Sequence, residues 1–324
     1  MHWYNRDEGF ARIDRLGAEG EGFLFLISYD RSRILAEPLD RLPPGLLYRL
    51  GNWQNYRPRP IRSVPRNFRA APLPFSRYRK ALEQVREEIR SGNTYLLNLT
   101  SPTPVESALD LEEIFHAAHA PYKLHLPGLF SCFSPEKFIT IREGIVQTHP
   151  MKGTIDAALP DAERTILSDD KETAEHVMIV DLMRNDLNRI SSNVRVKRFR
   201  YIDRIRAGEK ELLQVSSEIV GALPADWRSR LGSHLREITP AGSVTGTPKR
   251  KTLEIIERIE GYERGFYTGI FGVCQGNELR SAVLIRFVEQ TSGGLVYKSG
   301  GGITLDSDPA SEYRELIDKI YLPF

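Results

Sequence analysis

Three apolar runs, separated by short breaks, fill residues 265–303, GFYTGIFGVCQGNELRSAVLIRFVEQTSGGLVYKSGGGI. The runs cover Phe266–Cys274, Leu279–Glu289 and Gly294–Lys298. Short runs of this kind predict strands, and their close spacing along the chain favours antiparallel neighbours. Because helical patterns elsewhere in the chain are interspersed with such strands, we expect an α+β fold.

The rest of the chain alternates between helical and strand patterns. Apolar residues recur three and four positions apart from Tyr78 to Ile89, and Gly92 ends the helix predicted from Ser76. Residues 1–40 are predicted to form short strands, at Gly22–Ser28 and Arg33–Glu37. Further strands are predicted at Tyr95–Thr100, Phe130–Cys132, Phe138–Val146 and Gln214–Leu223, and further helices at Leu111–Ala118, Asp161–Ser168, Asp170–Leu187, Trp227–Leu235, Lys249–Ile259 and Pro309–Ile320.

The composition is that of an ordinary globular protein: of 324 residues, 40% are hydrophobic and 27% are charged. The formal net charge of +2 comes from 45 basic and 43 acidic residues, so no nucleic-acid partner is expected. Cys132 and Cys274 are too few for a disulfide framework or a thiolate metal site. The N-terminus lacks a signal-peptide pattern and no apolar run approaches membrane-spanning length. We therefore expect a cytoplasmic protein that does not bind membranes.

Lys152 stands in the segment Thr148–Thr154, THPMKGT, which follows the apolar-rich run Phe138–Val146. A lysine between a proline turn and a Gly-Thr pair is expected on a tight loop at the end of a strand. Such a loop can point the amine into a cleft. The alternative is a solvated surface lysine, since most lysines are exposed.

Two pairs of glutamates repeat the same spacing. Glu172 and Glu175 lie three positions apart on a helical stretch, as do Glu312 and Glu315 on the last predicted helix, so each pair shares one helix face. Carboxylate oxygens suit Mg²⁺, which takes one or two of them together with water and an anionic substrate. The alternative is a pair of solvated acidic faces.

Two glycine-containing segments are candidates for ligand contact. Residues 242–249, GSVTGTPK, look superficially like a phosphate loop but have the wrong spacing, which excludes nucleotide binding. We expect a loop whose backbone and hydroxyl groups line a site. The run at residues 300–302 lets the backbone approach a ligand closely, and its N–H groups can form a concave anion site, although a simple turn is the alternative.

Four segments together resemble the chorismate-utilising enzymes, a family that includes anthranilate synthase component I, aminodeoxychorismate synthase component I and isochorismate synthases. They are the loop around Lys152, then Glu175–Leu187, Pro240–Gly269 and Gly300–Lys319, in the order that the family has. The resemblance runs from about Phe75 to Lys319, about three quarters of the 324 residues.

The resemblance implies two antiparallel β-sheets packed face to face, with helices on the outside and the site in the cleft between the sheets. It also implies one chorismate-binding domain over residues 1–324. Residues 1–74 would be a shortened N-terminal part, and residues 75–320 the catalytic core.

The family's catalytic and metal-binding positions correspond to residues in these motifs. The metal ligands correspond to Glu175 and Glu315, and Glu172 and Glu312 beside them would hold metal-bound water, so Mg²⁺ is the implied cofactor. The acid/base glutamate corresponds to Glu136. Burial should raise the pKa of Glu136, so that it can donate a proton near neutral pH.

Substrate binding is implied along the same cleft. Arg286, expected on a strand, would clamp a substrate carboxylate because its guanidinium fork meets both oxygens, and Tyr267 would join it. The implied substrate-binding residues are Thr154, Tyr267, Arg286, Gly300, Gly302 and Lys319.

Lys152 separates groups within the family. The loop reads Pro-Ile-Lys-Gly-Thr in aminodeoxychorismate synthases, Pro-Ile-Ala-Gly-Thr in anthranilate synthases and Pro-Met-Lys-Gly-Thr here. The resemblance therefore implies that Lys152 attacks chorismate covalently and that amination at C4 gives 4-amino-4-deoxychorismate, for the p-aminobenzoate branch of folate biosynthesis. Burial beside Mg²⁺ is expected to lower the pKa of Lys152.

The expected source of ammonia is a glutamine amidotransferase partner, because the sequence shows no recognisable Cys/His glutaminase set. Two positions depart from the family's motifs, with Leu96 in place of glutamine and Gln214 in place of histidine. One alternative is an anthranilate synthase component I, against which Lys152 argues. Others are an isochorismate synthase, which the run Arg184–Leu187 disfavours, and a non-catalytic scaffold for the amidotransferase.

Overall fold

The structure is a computed structural model that describes residues 1–59, 68–207 and 210–324. Helices and strands alternate through these ranges. The α-helices are α1 (Arg6–Glu19), α2 (Phe75–Arg90), α3 (Leu111–Ala117), α4 (Ala162–Ser168), α5 (Asp170–Asn188), α6 (Leu231–Ile238), α7 (Lys249–Glu260) and α8 (Pro309–Asp318).

The strands are mostly short, apart from one long hairpin. They are β1 (Phe23–Ile27), β2 (Ile34–Pro38), β3 (Leu47–Leu50), β4 (Trp53–Gln54), β5 (Arg69–Ala70), β6 (Leu96–Glu106), β7 (Tyr122–Leu126), β8 (Phe130–Ser134), β9 (Lys137–Arg142), β10 (Ile145–Thr148), β11 (Met151–Asp156), β12 (Ser192–Ala207), β13 (Lys210–Ala222), β14 (Gly246–Thr247), β15 (Ile270–Gln275), β16 (Glu278–Val283), β17 (Phe287–Thr291) and β18 (Gly294–Ile303).

The strands form two nine-stranded antiparallel sheets. The first sheet has the order β11-β13-β10-β9-β16-β15-β1-β2, with β12 paired to β13. The second has the order β14-β6-β18-β17-β8-β7-β3-β4, with β5 paired to β6. Strands from the N-terminal part join both sheets, since β1 pairs with β15 and β3 pairs with β7.

Apolar side chains from the two sheets meet in one core. Leu24 of β1 and Phe271 of β15 belong to the same buried cluster as Phe130 of β8 and Phe287 of β17. Burial of apolar surface between two sheets is the main stabilising contribution in such an arrangement. The predicted fold, α+β with two antiparallel sheets packed face to face, is confirmed.

Helices cover the outer faces of both sheets. Ile13 of α1, Leu182 of α5 and Leu235 of α6 pack against the first sheet, while Leu82 of α2 and Ile255 of α7 pack against the second. Because β1 is covered on both faces, all of its residues are apolar and buried. None of the helices in the described ranges combines the length and the apolar character needed to cross a membrane.

The prediction of short strands throughout residues 1–40 is wrong in its first half, because residues 6–19 form α1. The side chain of Asn5 caps this helix by accepting hydrogen bonds from the backbone N–H groups of Asp7 and Glu8. The strands predicted at Gly22–Ser28 and Arg33–Glu37 are present as β1 and β2.

Two runs predicted as single strands are each divided in the structure. Phe138–Val146 spans β9 and β10, which form a hairpin with Glu143 and Gly144 at its turn, both with positive φ. Leu279–Glu289 spans β16 and β17, which belong to different sheets. The chain changes sheets at Arg286, where φ is +55°.

Candidate active site

A cavity of about 170 Å³ opens between the first sheet and the second. Its wall includes Leu96 and Asn98 of β6, Lys137 of β9 and Met151 of β11. Most of the site residues predicted from sequence line it, namely Glu136, Lys152, Glu175, Tyr267, Arg286, Gly300, Gly302, Glu315 and Lys319. The motifs that are far apart in sequence therefore share one cavity.

Lys152 lies near the start of β11, where the pairing of β11 with β13 shifts between Met151 and Thr154. The intervening Gly153 has φ +81°, a conformation that glycine adopts without strain. This irregularity directs Lys152 towards α5, and its Nζ lies 2.6 Å from Oε2 of the buried Glu175. The amine therefore sits inside the site, as the sequence suggested, although Lys152 belongs to β11 and not to the tight loop that was expected.

Neighbouring carboxylates dominate the pKa of Lys152. Burial lowers it, but the carboxylates of Glu175, Glu172 and Glu315 raise it by more, so the pKa lies above its ordinary value. These negative charges stabilise the ammonium form. A lowered pKa beside bound Mg²⁺ stays a prediction.

Glu136 lies in the connection between β8 and β9, directly after Pro135. Ser243 donates a hydrogen bond from Oγ to Oε1 of Glu136 at 2.5 Å. Burial raises the pKa of Glu136, while the Ser243 hydrogen bond and the charges of Arg286 and Lys319 lower it by less. A carboxyl group with a raised pKa is suited to proton donation, as expected for this residue.

Arg286 occupies the junction between β16 and β17 and does not project from a strand, contrary to the sequence prediction. Its backbone oxygen accepts a hydrogen bond from Phe133 N at 3.0 Å, which fixes the junction to β8. Nε of Arg286 is buried and has no hydrogen-bond partner in the part of the chain that the structure describes. A buried guanidinium N–H that lines a cavity fits an anionic ligand. Tyr267, also buried, lines the same wall.

Lys319 caps the end of α8 and is tied to both helix and sheet. Its Nζ lies 2.6 Å from Oε1 of Glu315 and donates to the backbone oxygen of Gly300 at 2.9 Å. Burial lowers the pKa of Lys319, and the Glu315 carboxylate raises it by less.

The glycines at 300–302 lie within β18 and pair with β6, so they form neither a turn nor the concave anion site expected from the sequence. Close packing explains Gly300: a Cβ there would lie 2.5 Å from Cγ2 of Thr100. A Cβ on Gly301 would lie 3.6 Å from both Oε2 of Glu312 and Oε1 of Glu315. The glycine strand thus lets two carboxylates of α8 approach the sheet.

Three of the predicted site residues do not line the cavity. Thr154 is exposed and pairs with Gln214 of β13. Glu172 approaches Gly153 from α5, since a Cβ on that glycine would lie 3.2 Å from its Oε2. Glu312 is buried and accepts a hydrogen bond from Ser307 Oγ at 2.8 Å. Neither glutamate is among the residues that line the cavity.

Residues 240–249 place one group at the site that the sequence did not single out. Ser243 lines the cavity and holds Glu136. Lys249, the first residue of α7, does not line the cavity and lies 2.7 Å from Oδ1 of Asp186, which is buried on α5. The loop was expected to line a site through backbone and hydroxyl groups, and Ser243 could have been identified as the hydroxyl nearest its glycine.

Two histidines in the motifs are held neutral near the site. His149 lines the cavity, and burial lowers its pKa to about 4. Burial also lowers the pKa of His176 to about 4, and its Nε2 lies 2.7 Å from Ser217 Oγ. In the sequence, the only sign that these histidines lie near the site is their position next to Pro150 and Glu175.

Anthranilate synthase component I from Streptococcus pneumoniae has a similar structure, with a TM-score of 0.67 at 27% sequence identity. The match covers 80% of this chain and 60% of that one. This likeness supports the two-sheet fold.

Two other proteins match this chain in sequence over most of its length. An uncharacterised PabA-like protein of Haemophilus influenzae is 46% identical over 315 residues, which are 96% of this chain and 95% of the relative. Aminodeoxychorismate synthase component 1 of Bacillus subtilis is 31% identical over 268 residues, 78% of this chain but 56% of the relative. The profile of the family described as chorismate binding enzyme matches residues 11–323. The chain therefore belongs to the family of chorismate binding enzymes.

Proposed function

We propose that the protein aminates chorismate at C4 and releases 4-amino-4-deoxychorismate, the precursor of p-aminobenzoate in folate biosynthesis. The observation that carries the proposal is the placement of the Lys152 amine and the Glu136 carboxyl on the walls of one cavity. A nucleophile and a proton donor that face the same substrate can divide one difficult substitution into two easier steps. The similarity to the Bacillus subtilis aminodeoxychorismate synthase component 1 supports this choice.

Chorismate carries carboxylates, and the cavity offers cations to bind them. Arg286 presents a buried Nε that has no partner among the described residues. Lys319 adds a second positive charge at the same cavity. Charge-assisted hydrogen bonds from these side chains would fix the ring between β11 and β18.

Mg²⁺ fits the donor set, because Glu175 and Glu315 supply hard oxygen ligands from two helices to one cavity. Among the described residues, no group of three or more His, Cys, Asp or Glu side chains is close enough to form a complete metal cage. Two carboxylates, Glu175 and Glu315, leave coordination positions that substrate and water would fill. When bound, Mg²⁺ would supply positive charge that attracts a substrate carboxylate and opposes the charges that hold the pKa of Lys152 high.

The chemical steps follow from the positions of the two catalytic side chains. Neutral Lys152 adds through its nitrogen lone pair to C2, both conjugated double bonds of the ring shift, and the C4–O bond breaks. Glu136 gives its proton to the departing hydroxyl, which leaves as water. Ammonia then forms a bond to C4, both double bonds shift back, and the C2–N bond to Lys152 breaks, so that the lysine leaves as the neutral amine. The proton that the new ammonium group on C4 loses returns to Glu136, which regenerates the acid.

We assign the supply of ammonia to a glutamine amidotransferase partner. Both cysteines are buried, and burial raises the pKa of the Cys132 and Cys274 thiols, so neither is suited to nucleophilic hydrolysis of glutamine. The purified chain should use ammonium but not glutamine, and added amidotransferase should restore glutamine use. Glutamine hydrolysis by the chain alone at the rate of synthesis would contradict this assignment.

The reaction is tested by incubating the protein with chorismate, Mg²⁺ and ammonium, and by identifying products by mass and ultraviolet spectrum. We expect 4-amino-4-deoxychorismate and no release of pyruvate. Anthranilate as the main product would instead assign the chain to the anthranilate synthases, and isochorismate would indicate water as nucleophile. Absence of any turnover would favour a scaffold role.

A further inference from the structure

A second cleft, of about 340 Å³, shares no lining residue with the active-site cavity. It lies where the turn between β1 and β2 meets the ends of α1, α5 and α6 and the start of α7. We call it the basic cleft. Its charged lining residues are Arg6, Arg31, Arg189, Arg236, Lys249 and Arg250, together with Glu237 and Glu254.

Most of the cations in the basic cleft already have a carboxylate partner. These ion pairs are Arg189–Glu237, Arg236–Asp7 and Lys249–Asp186, each at 2.7 Å, and Arg250–Glu254 at 4.0 Å. Within residues 1–59, 68–207 and 210–324, no carboxylate forms an ion pair with Arg6 or Arg31. The positive charge of these two side chains is therefore in excess.

Arg31 is the best-defined member of this excess. Its Nη1 donates to the backbone oxygen of Thr239 at 3.2 Å, whereas its Nε is buried without a hydrogen-bond partner in the described chain. Burial lowers the pKa of Arg31, and so do the charges of Arg6 and Arg236, while the Asp30 carboxylate raises it by less. Leaving a buried guanidinium N–H without an acceptor costs free energy, which an anion in the cleft would offset.

The backbone of Arg31 adopts an unfavourable conformation. Its φ is +64°, in the left-handed region that residues other than glycine rarely adopt. The hydrogen bond to Thr239 and the neighbouring turn from Ser28 to Ser32 maintain this conformation. The guanidinium group is therefore fixed over the cleft before any ligand binds, which reduces the entropy lost on binding.

The start of α7 adds to the positive potential. No side chain caps this helix, and its first turn has no acidic residue but begins with Lys249 and Arg250. Cations are unfavourable at the positive end of a helix dipole, and an anion there is favourable. The start of α7 therefore adds to the excess of positive charge at Arg6 and Arg31.

We propose that the basic cleft binds a small organic anion that carries two or more oxyanionic groups, either phosphates or carboxylates. Guanidinium forks of Arg31 and Arg6 suit such groups because each can give two parallel hydrogen bonds. The cleft, at 340 Å³ against 170 Å³ for the active-site cavity, has room for more than one oxyanion. The site is separate from the residues proposed for chorismate.

The test uses isothermal titration calorimetry of the full chain with pyrophosphate and with citrate. The buffer lacks Mg²⁺, which both probes chelate, and sodium chloride holds the ionic strength constant because screening alters charge attraction. We expect saturable binding at one site. Binding should weaken at least tenfold, about 1.4 kcal/mol, in Arg31→Asn and in Arg6→Gln.

The variants are chosen so that loss of binding is not confused with loss of fold. Asparagine tolerates the left-handed conformation at position 31, and Arg6 is exposed. Arg142→Gln removes one exposed cation of β9, away from the basic cleft, and should bind like the native protein. Tighter binding of pyrophosphate would identify phosphate as the ligand group, and tighter binding of citrate would identify carboxylate.

Two outcomes would overturn the proposal. One is the absence of saturable binding of either probe up to about 10 mM. The other is equal affinity in the native protein, Arg31→Asn, Arg6→Gln and Arg142→Gln, which would show that binding depends on overall charge.

Discussion

Ser243 donates a hydrogen bond of 2.5 Å to Glu136, and this bond joins two segments that are more than one hundred residues apart in sequence. Ser243 lies in the turn before α7, and Glu136 lies between β8 and β9. The hydroxyl fixes the carboxyl group at the cavity. It also lowers the pKa of Glu136, which burial raises. One side chain therefore positions the proposed proton donor and limits its basicity.

Ser243→Ala should raise the pKa of Glu136, because the hydroxyl that stabilises its charged form is removed. The protonated form would persist to higher pH, so the alkaline limb of the kcat/KM profile should move up by about one pH unit, as expected for a bond of ~1.5 kcal/mol to a charged group. The profile is measured with free ammonia held constant at each pH. Ser243→Thr, which keeps a hydroxyl, is the control, and an identical limb in the alanine variant would count against the assignment.

Glu136→Gln should change how stability depends on pH. The folded state holds the Glu136 proton more tightly than the unfolded state, so this group destabilises the fold as pH rises from the ordinary glutamate pKa through the raised one. Relative to the native protein, the glutamine variant should therefore gain stability over that window and keep a constant difference above it. Thermal unfolding from about pH 4 to 8 measures the difference. Glu106→Gln, at an exposed carboxylate of β6, should show no such trend.

The sequence was sufficient for the groups that lie within compact motifs. Lys152 stands in the compact segment between Pro150 and Gly153, and the glutamate pairs on α5 and α8 follow from helical spacing. The positions of such residues can be predicted from sequence because they depend mainly on residues that are close in the chain. The two-sheet architecture came from the family resemblance, since periodicity shows strands but not which sheet they join.

The sequence was insufficient where tertiary contacts decide. α1 was missed although Asn5 is a good cap, because the apolar run at β1 dominates residues 1–40. The charged strand β12 has too little apolar character to be recognised, and pairing with β13 stabilises it. The direction of the pKa shift of Lys152 depends on carboxylates from α5 and α8, whose distances no sequence pattern gives.

Glu175→Gln and Glu315→Gln should each weaken the dependence of activity on Mg²⁺. Loss of one negative ligand should raise the Mg²⁺ concentration at half-maximal activity at least tenfold, about 1.4 kcal/mol. Both side chains line the active-site cavity, whereas Glu163, an exposed residue of α4, is paired with Arg204 and serves as the control. Unchanged Mg²⁺ midpoints in both variants would mean that neither carboxylate is a metal ligand.

Lys152→Ala should lose most of the synthesis of 4-amino-4-deoxychorismate. The emptied position leaves no nucleophile at C2, so the first of the two displacements cannot occur. Lys137→Ala, at another lysine that lines the cavity, should retain the reaction and serves as the matched control. Formation of aminodeoxychorismate at the native rate by Lys152→Ala would show that the lysine only binds substrate.

The most direct measurement is mass spectrometry of the native protein and of Lys152→Ala after incubation with chorismate and Mg²⁺ in the absence of ammonia. The covalent step places a substrate-derived group on the nitrogen that lies 2.6 Å from Glu175. We predict an adduct whose mass is that of chorismate minus water, located by peptide mapping to Lys152 and absent from the alanine variant. An unmodified Lys152 in a preparation that makes aminodeoxychorismate once ammonium is added would contradict the covalent mechanism.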